Sequence, residues 1–176
     1  MNTTTTTTEL FYSTFDTPAG QFSLAVDSGG ALVVTAFGGL EQLKSRASEP
    51  QANFIESKEK TADAQQEVAA YFADRRYVFK SRLANRGSPF QQKVWAALNA
   101  IPSGETRSYG RLAKELKSSA RAIGRANATN PICLIVPCHR VIGGDGKLTG
   151  YAFGEELKAR LLEHEGVVVE RTLRVR

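Results

Sequence analysis

The amino-acid sequence predicts an α+β protein in two parts: an antiparallel sheet with helices, then a mostly helical half that contains a helix-turn-helix. Three observations predict this. Short apolar runs punctuated by Gly- and Pro-containing turns fill residues 10–37, as in a β-meander. Beyond Pro89 the apolar residues recur at helical spacing instead. Between the two patterns lies Asn85–Ser88, a polar break with a glycine.

The elements follow in chain order. Residues 1–9 hold six consecutive threonines and neither a basic flank nor an apolar stretch, so they are expected to be a disordered tail rather than a signal peptide. Residues 10–85 form the first domain. Leu10–Phe15, Gln21–Val26 and Ala31–Phe37 read as strands separated by turns at Asp16–Gly20 and Asp27–Gly30. Glu41–Ala47 and Thr61–Phe72 read as helices, the second with Val68, Tyr71 and Phe72 on one side, and Tyr77–Lys80 as a returning edge strand. Residues 86–176 form the second domain. Ser88 is placed to cap a helix that has Pro89 at its first position, with Phe90, Val94, Trp95 and Leu98 as core. Ser108 starts a short helix with Leu112, Ala113 and Leu116 inward, and Ser118 or Ser119 starts another, Ala120–Asn127. Two short helices joined by a tight turn make a helix-turn-helix pattern. Glu155–Glu165 is predicted helical and to end at Gly166.

Composition narrows the function. The chain has 176 residues, 41% of them apolar, enough to bury a core. No apolar run approaches the about 18 residues of a membrane-spanning helix, and no membrane partner is expected. Cys133 and Cys138 are too few for a disulfide framework, and their spacing is not that of a zinc site, so no metal is expected. The chain is expected to be cytoplasmic. The net charge of +5 is unevenly distributed. Residues 1–88 carry 9 basic and 10 acidic side chains, whereas residues 89–176 carry 14 and 8. Arg107, Arg111, Lys114, Lys117, Arg121 and Arg125 crowd one window in which Glu115 is the only acid. Such a run is either a solvated helix face or a polyanion site. Arg121 and Arg125 share the outer face of the second short helix, which favours DNA. Small residues on the same helix (Ala120, Ala122, Gly124, Ala126 and Ala128) fit either close packing on a neighbour or close approach to a nucleic-acid backbone.

The chemistry centres on Cys138. Pro137 stiffens the chain before it, and His139 and Arg140 follow. An imidazole can take the thiol proton, directly or through water, and a nearby cation favours the thiolate. Glu165 lies four residues after Leu161 and three after Leu162, so it faces the core and can orient the base; His164 is predicted to face outward. The Gly-rich stretch Gly143–Gly154, which carries Tyr151, lacks phosphate-loop spacing and reads as a surface loop or as one wall of a flat pocket.

The run Val136–Val141 (Val-Pro-Cys-His-Arg-Val), with Arg121–Gly124 and Asn130-Pro131 upstream and His164–Gly166 downstream, resembles the O6-alkylguanine-DNA alkyltransferase family. The likeness covers about Phe90–Val168 in order. It implies a ribonuclease-H-like N-terminal domain, no cofactor, and suicide transfer of an alkyl group from O6-alkylguanine, with O4-alkylthymine as a second lesion, in flipped-out duplex DNA. Carried over by position, Cys138 is the acceptor, His139 its base through water, and Glu165 the carboxylate behind His139. Asn130 organises the turn, and Tyr109 hydrogen-bonds guanine N3. The carbonyls of Cys138 and Val141 take the exocyclic amine, Ala152 with Tyr151 contacts O6, and Lys158 lies near the site. Ala120, Arg121, Gly124, Arg125 and Asn127 face DNA in the minor groove, with Arg121 filling the gap left by the flipped nucleotide. A monomer is expected, with cooperative packing along DNA left open. Phe153 stands where some relatives have a small residue, which is expected to narrow the pocket. Two other readings stay open: a lesion-binding module without transfer, and a cysteine hydrolase.

Overall fold

The computed structural model describes residues 6–84, 86–170 and 172–176. The first half is a four-stranded sheet, β1 (Glu9–Thr17), β2 (Gly20–Val26), β3 (Leu32–Phe37) and β4 (Asn53–Glu56), with α1 (Leu40–Arg46) and α2 (Lys58–Ala73). Strand order is β3-β2-β1-β4. β1, β2 and β3 form the expected antiparallel meander, and β4 adds to β1 in parallel, Leu10 opposite Phe54. β1 starts at Glu9, within the stretch expected to be a tail, and Thr8 accepts the Asn53 N–H at 2.8 Å; residues 1–5 lie outside the described residues.

Two strand assignments are corrected. β4 is only four residues long and carries no long alternating pattern, so no periodicity marks it in the sequence. Tyr77–Lys80 is not a strand. Its polar groups turn instead to the Glu67 carboxylate on α2, which accepts from the Tyr77 hydroxyl and the Ser81 N–H, each at 2.9 Å, and from the Lys80 N–H.

The second half contains α3 (Pro89–Asn99), β5 (Arg107–Ser108), α4 (Tyr109–Glu115), α5 (Ala120–Ala128), a 3₁₀ turn (Cys138–Arg140), β6 (Val141–Ile142), α6 (Glu155–His164), β7 (Val169–Glu170) and β8 (Arg174–Val175). Local chemistry sets the helix starts. Ser88 and Gln91 cap each other's backbone N–H groups at 3.1 and 2.9 Å. Ser108 caps α4, and Ser119, not Ser118, caps α5. α6 ends where Gly166, at φ +91°, takes the left-handed conformation that a side chain would strain.

The halves share one core. Phe22, Leu24, Val68 and Tyr71 pack in the same cluster as Val94, Leu98, Leu112, Ile123, Cys138 and Leu161. The outer edge of β3 is closed by the second half: Thr35 N–H donates to Pro131 O at 2.9 Å, beside the loop that leads to Cys138. An open strand edge would invite foreign pairing; here it supports the site. Two further expectations are corrected. Phe90 is 37% exposed rather than core, because the first turn of α3 projects beyond the packed layer. His164 does not face outward: its Nε2 donates to Tyr71 O at 2.8 Å and its ring lies against Tyr71 and Phe72.

Candidate active site

The loop Pro131–Pro137 delivers Cys138 to the first position of the 3₁₀ turn, where it is buried. Asn130 shapes this loop from within. Its Nδ2 donates to Val136 O at 2.9 Å and its Oδ1 accepts Ile132 N–H at 3.0 Å, which closes the loop on itself. Leu134, at φ +72°, holds a conformation that non-glycine residues rarely adopt, kept in place by complete burial.

His139 and Glu165 meet behind the thiol. The His139 Nε2 stands 2.8 Å from Glu165 Oε1, and both side chains are fully buried. With Nε2–H donating to the carboxylate, Nδ1 of the neutral ring is left as the acceptor. Nδ1 is buried without a hydrogen-bond partner among the described residues. Arg140 does not supply free positive charge next to the sulfur, as its position in the sequence suggested. It turns back to Glu165, with Nη2 2.8 Å from Oε1 and Nε 3.0 Å from Oε2, and its Nη1 donates to Ile101 O at 2.6 Å. Burial alone would raise the Glu165 carboxyl, but His139 and Arg140 outweigh it and bring it down to about 2.

Burial prevails in the electrostatics at Cys138, so the thiol is raised on balance. Burial pushes its thiol up, while the Asn130 side chain, the Lys158 ammonium and the Arg46 guanidinium pull it down. Lys158 is itself fully buried, and its Nζ donates to Val141 O and, at 3.0 Å, to Thr149 O. Desolvation lowers its ammonium to about 8. The second cysteine, Cys133, is pushed up to about 12 by burial and by the neighbouring Cys138, and it accepts a hydrogen bond from Thr35 at 3.3 Å.

The pocket side holds Tyr109, Tyr151 and Asn127. The Tyr109 hydroxyl donates to Thr149 O at 3.1 Å; burial and Cys138 raise it, so it stays protonated and able to donate. The Tyr151 hydroxyl is buried without a partner among the described residues, and Ala152 beside it is exposed. Asn127 departs from its expected place on the outer face. Ile123, Ala126 and Asn127 share the inner side of α5, and the Asn127 Nδ2 points to Cys138 O at 3.5 Å. Phe153 stacks edge-on between Phe37 and Tyr151, so its bulk joins the sheet to the pocket wall.

Ala120, Arg121, Arg125 and Ala128 are exposed along the outer face of α5. A Cβ built on Gly124 meets nothing within 4 Å, so close packing on a neighbour is not what calls for glycine there. Phe90, Ser119, Arg121, Arg125 and Thr129 line a groove of about 490 Å³ beside this face. In the basic window Arg107 pairs with Glu105 and Arg111 with Glu115. Lys114, Lys117, Arg121 and Arg125 have no carboxylate partner among the described residues.

Two residues of the first half reach the site without any signal in the sequence. Tyr71 donates its hydroxyl to Glu165 Oε1 at 2.9 Å. Arg46 donates one nitrogen to Ala128 O and Asn130 O, each at 2.8 Å, and covers the Phe153 ring. Among the described residues no group of three or more His, Cys, Asp or Glu could hold a metal ion, and no helix is long and apolar enough to cross a membrane.

Comparison with known proteins is in keeping with this geometry. The family model described as the DNA-binding domain of 6-O-methylguanine DNA methyltransferase matches residues 89–167. A methylated-DNA–protein-cysteine methyltransferase of Methanosarcina acetivorans is 43% identical over 159 residues, which are 89% of this chain and 99% of that protein. A protein of the same name from Mycobacterium tuberculosis H37Rv is 45% identical over 89% of this chain and 92% of its own length. The crystal structure of Mycobacterium tuberculosis OGT in complex with DNA is similar with a TM-score of 0.77 at 42% identity, covering 89% of this chain and 93% of that one. Shared sequence and shared fold over most of both partners make this chain a member, and an enzyme, of the methylated-DNA–protein-cysteine methyltransferase family.

Proposed function

We propose that the chain repairs alkylated duplex DNA by moving the alkyl group of O6-alkylguanine irreversibly onto Cys138. The observation that carries this reading is the buried line from Cys138 through His139 to Glu165, with the imidazole held at 2.8 Å from the carboxylate and its other nitrogen left to accept. The thiol proton passes to His139 Nδ1 through a bridging water. The sulfur then attacks the alkyl carbon in line; the S–C bond forms, the C–O6 bond breaks, and its electron pair goes into the guanine ring. A hydrogen bond from Tyr109 to ring N3 offsets the charge of the leaving guanine. The thioether is not hydrolysed, so each molecule reacts once. Displacement at carbon by a thiolate draws on no cofactor.

The alkylated oxygen lies within the base stack, so the nucleotide must be extruded, at a cost of a few kcal/mol. Arg121 on the exposed face of α5 fills the vacated place, and Arg125, Ala120 and Gly124 border the minor-groove backbone. Asn127, turned inward, belongs to the lesion pocket together with Tyr151, Ala152 and the carbonyls of Cys138 and Val141. O4-alkylthymine is a second substrate. The protein acts as a monomer.

The test is to mix the protein with duplex DNA containing O6-methylguanine and weigh it. A permanent, stoichiometric gain of about 14 Da on the Cys138 peptide, a methyl replacing a hydrogen, is expected of a covalent acceptor. Bound but unmodified protein would instead mark a lesion-binding module, and repeated turnover a hydrolase.

A further inference from the structure

We propose that Tyr71, on the N-terminal half, is a positioning residue of the alkyl-transfer centre that restrains His139 by sharing the carboxylate oxygen on which the imidazole depends. The inference rests on the role of Cys138 and His139 argued above and assigns to the N-terminal half a part in the chemistry.

Tyr71 is fully buried and tightly fixed. Its ring stacks on Phe79 at 5.5 Å, meets Phe72 edge-on at 4.9 Å and lies 4.9 Å from the His164 ring. Its carbonyl accepts from His164 and its hydroxyl donates to Glu165, so consecutive residues at the end of α6 grip one residue of α2. The Tyr71–Glu165 bond thus ties the relay directly to the first half.

The two oxygens of Glu165 are unequally loaded. Among the described residues Oε2 accepts only from Arg140 Nε, at 3.0 Å, and the same Nε also reaches Oε1 at 3.2 Å. Oε1 accepts from His139 Nε2 at 2.8 Å, Arg140 Nη2 at 2.8 Å and Tyr71 Oη at 2.9 Å. The ionisable and charged groups around the pair are Tyr71 from α2, His139 and Arg140 from the 3₁₀ turn, His164 at the end of α6, and Arg75, whose guanidinium lies against Gly166. Each donor to an anionic oxygen draws off part of its charge. Tyr71 therefore weakens the pull of Glu165 on the His139 N–H and moderates how readily Nδ1 takes the Cys138 proton. Removing only the hydroxyl leaves Oε1 a stronger acceptor for His139 and makes the imidazole more basic.

Tyr71→Phe keeps the ring and its packing. Cys138 modification is followed against pH in wild type and Tyr71→Phe, by methyl transfer from O6-methylguanine duplex and by iodoacetamide. The pH at which the rate is half-maximal is expected to rise by about half a unit on losing the donor, because a more basic imidazole keeps its own proton to higher pH, and not to move when the same substitution is made in a His139→Ala background. The ¹⁵N resonance of His139 Nε2 reads the same change at equilibrium, apart from any loss of stability. An unchanged or acid-shifted profile overturns the inference, as does an equal shift without the imidazole. If wild-type protein transfers no methyl group to Cys138, the reading of the site fails instead; transfer with identical profiles sinks only the role of Tyr71.

Discussion

His139 Nε2 and Glu165 Oε1 face each other at 2.8 Å with neither side chain exposed to solvent, so the imidazole is oriented by a buried charge. Such a carboxylate is stable only because it is over-supplied with donors, and that links the chemistry to the stability of the fold.

Glu165 has an ordinary carboxyl value of 4.5 and is held at about 2 in the folded chain. Between those values the unfolded state binds the proton that the native state refuses. The contribution to stability is therefore complete above about pH 4.5 and is lost as pH falls towards 2, roughly 3 kcal/mol in all. Glu165→Gln leaves Arg140 buried without its counter-charge and is expected to lower stability at neutral pH by about 3 kcal/mol. Its denaturation curves should also depend less on pH below 4.5 than those of the wild type. Urea melts at several pH values check both.

Lys158 works in the opposite pH range. Its ammonium falls from 10.5 to about 8 on folding, so the unfolded chain binds the extra proton between these values and stability rises as pH climbs through them. Lys158→Met removes that rise. It also removes a cation that favours the Cys138 thiolate and the donor to Val141 O and Thr149 O. Alkylation of Cys138 near neutral pH is expected to slow several-fold, measured as the rate of thiol labelling.

Cys133 tests whether burial or sequence position selects the nucleophile. Its thiol, pushed up to about 12, is a poor thiolate source. Cys133→Ser should retain alkyl transfer at close to the wild-type rate, because Thr35 still donates to the backbone carbonyl of residue 133 at 2.7 Å. Cys138→Ser should abolish it. Peptide mapping of the product decides between the two sulfurs.

What could be read in advance follows physical range. Ser88, Ser108 and Ser119 cap helices through bonds to the third residue on, so their roles are local and visible in the sequence. Glu165 was legible because helical spacing after Leu161 and Leu162 turns it to the core. Tyr71 meets it across 94 positions, and Arg46 meets Asn130 across 84; no periodicity encodes such pairings. Tyr77–Lys80 has β-favouring residues, yet a single carboxylate, Glu67, binds its backbone and leaves no ladder to join. Adjacency of Arg140 to Cys138 does not encode where its long side chain goes, and it turns away to Glu165.

Gly124 separates the demands of folding from those of DNA binding. It lies inside α5, where glycine costs about 1 kcal/mol relative to alanine. Its φ is not among the positive ones, and a Cβ there would meet nothing within 4 Å. Folding alone therefore favours alanine, and Gly124→Ala is expected to stabilise the free protein by up to about 1 kcal/mol. The same face carries the exposed Arg121 and Arg125, whose approach to a phosphate backbone leaves little room for a methyl group. The variant should melt higher and bind duplex DNA more weakly. Arg125→Ala should weaken binding in another way, lowering the slope of log affinity against log salt by about 1 as one phosphate contact is lost. Thermal melting and DNA titration over a salt series give both readings on the same samples. If Gly124→Ala melts higher and binds as before, the small-residue face of α5 does not lie against DNA, and the orientation of the recognition helix must be reassigned.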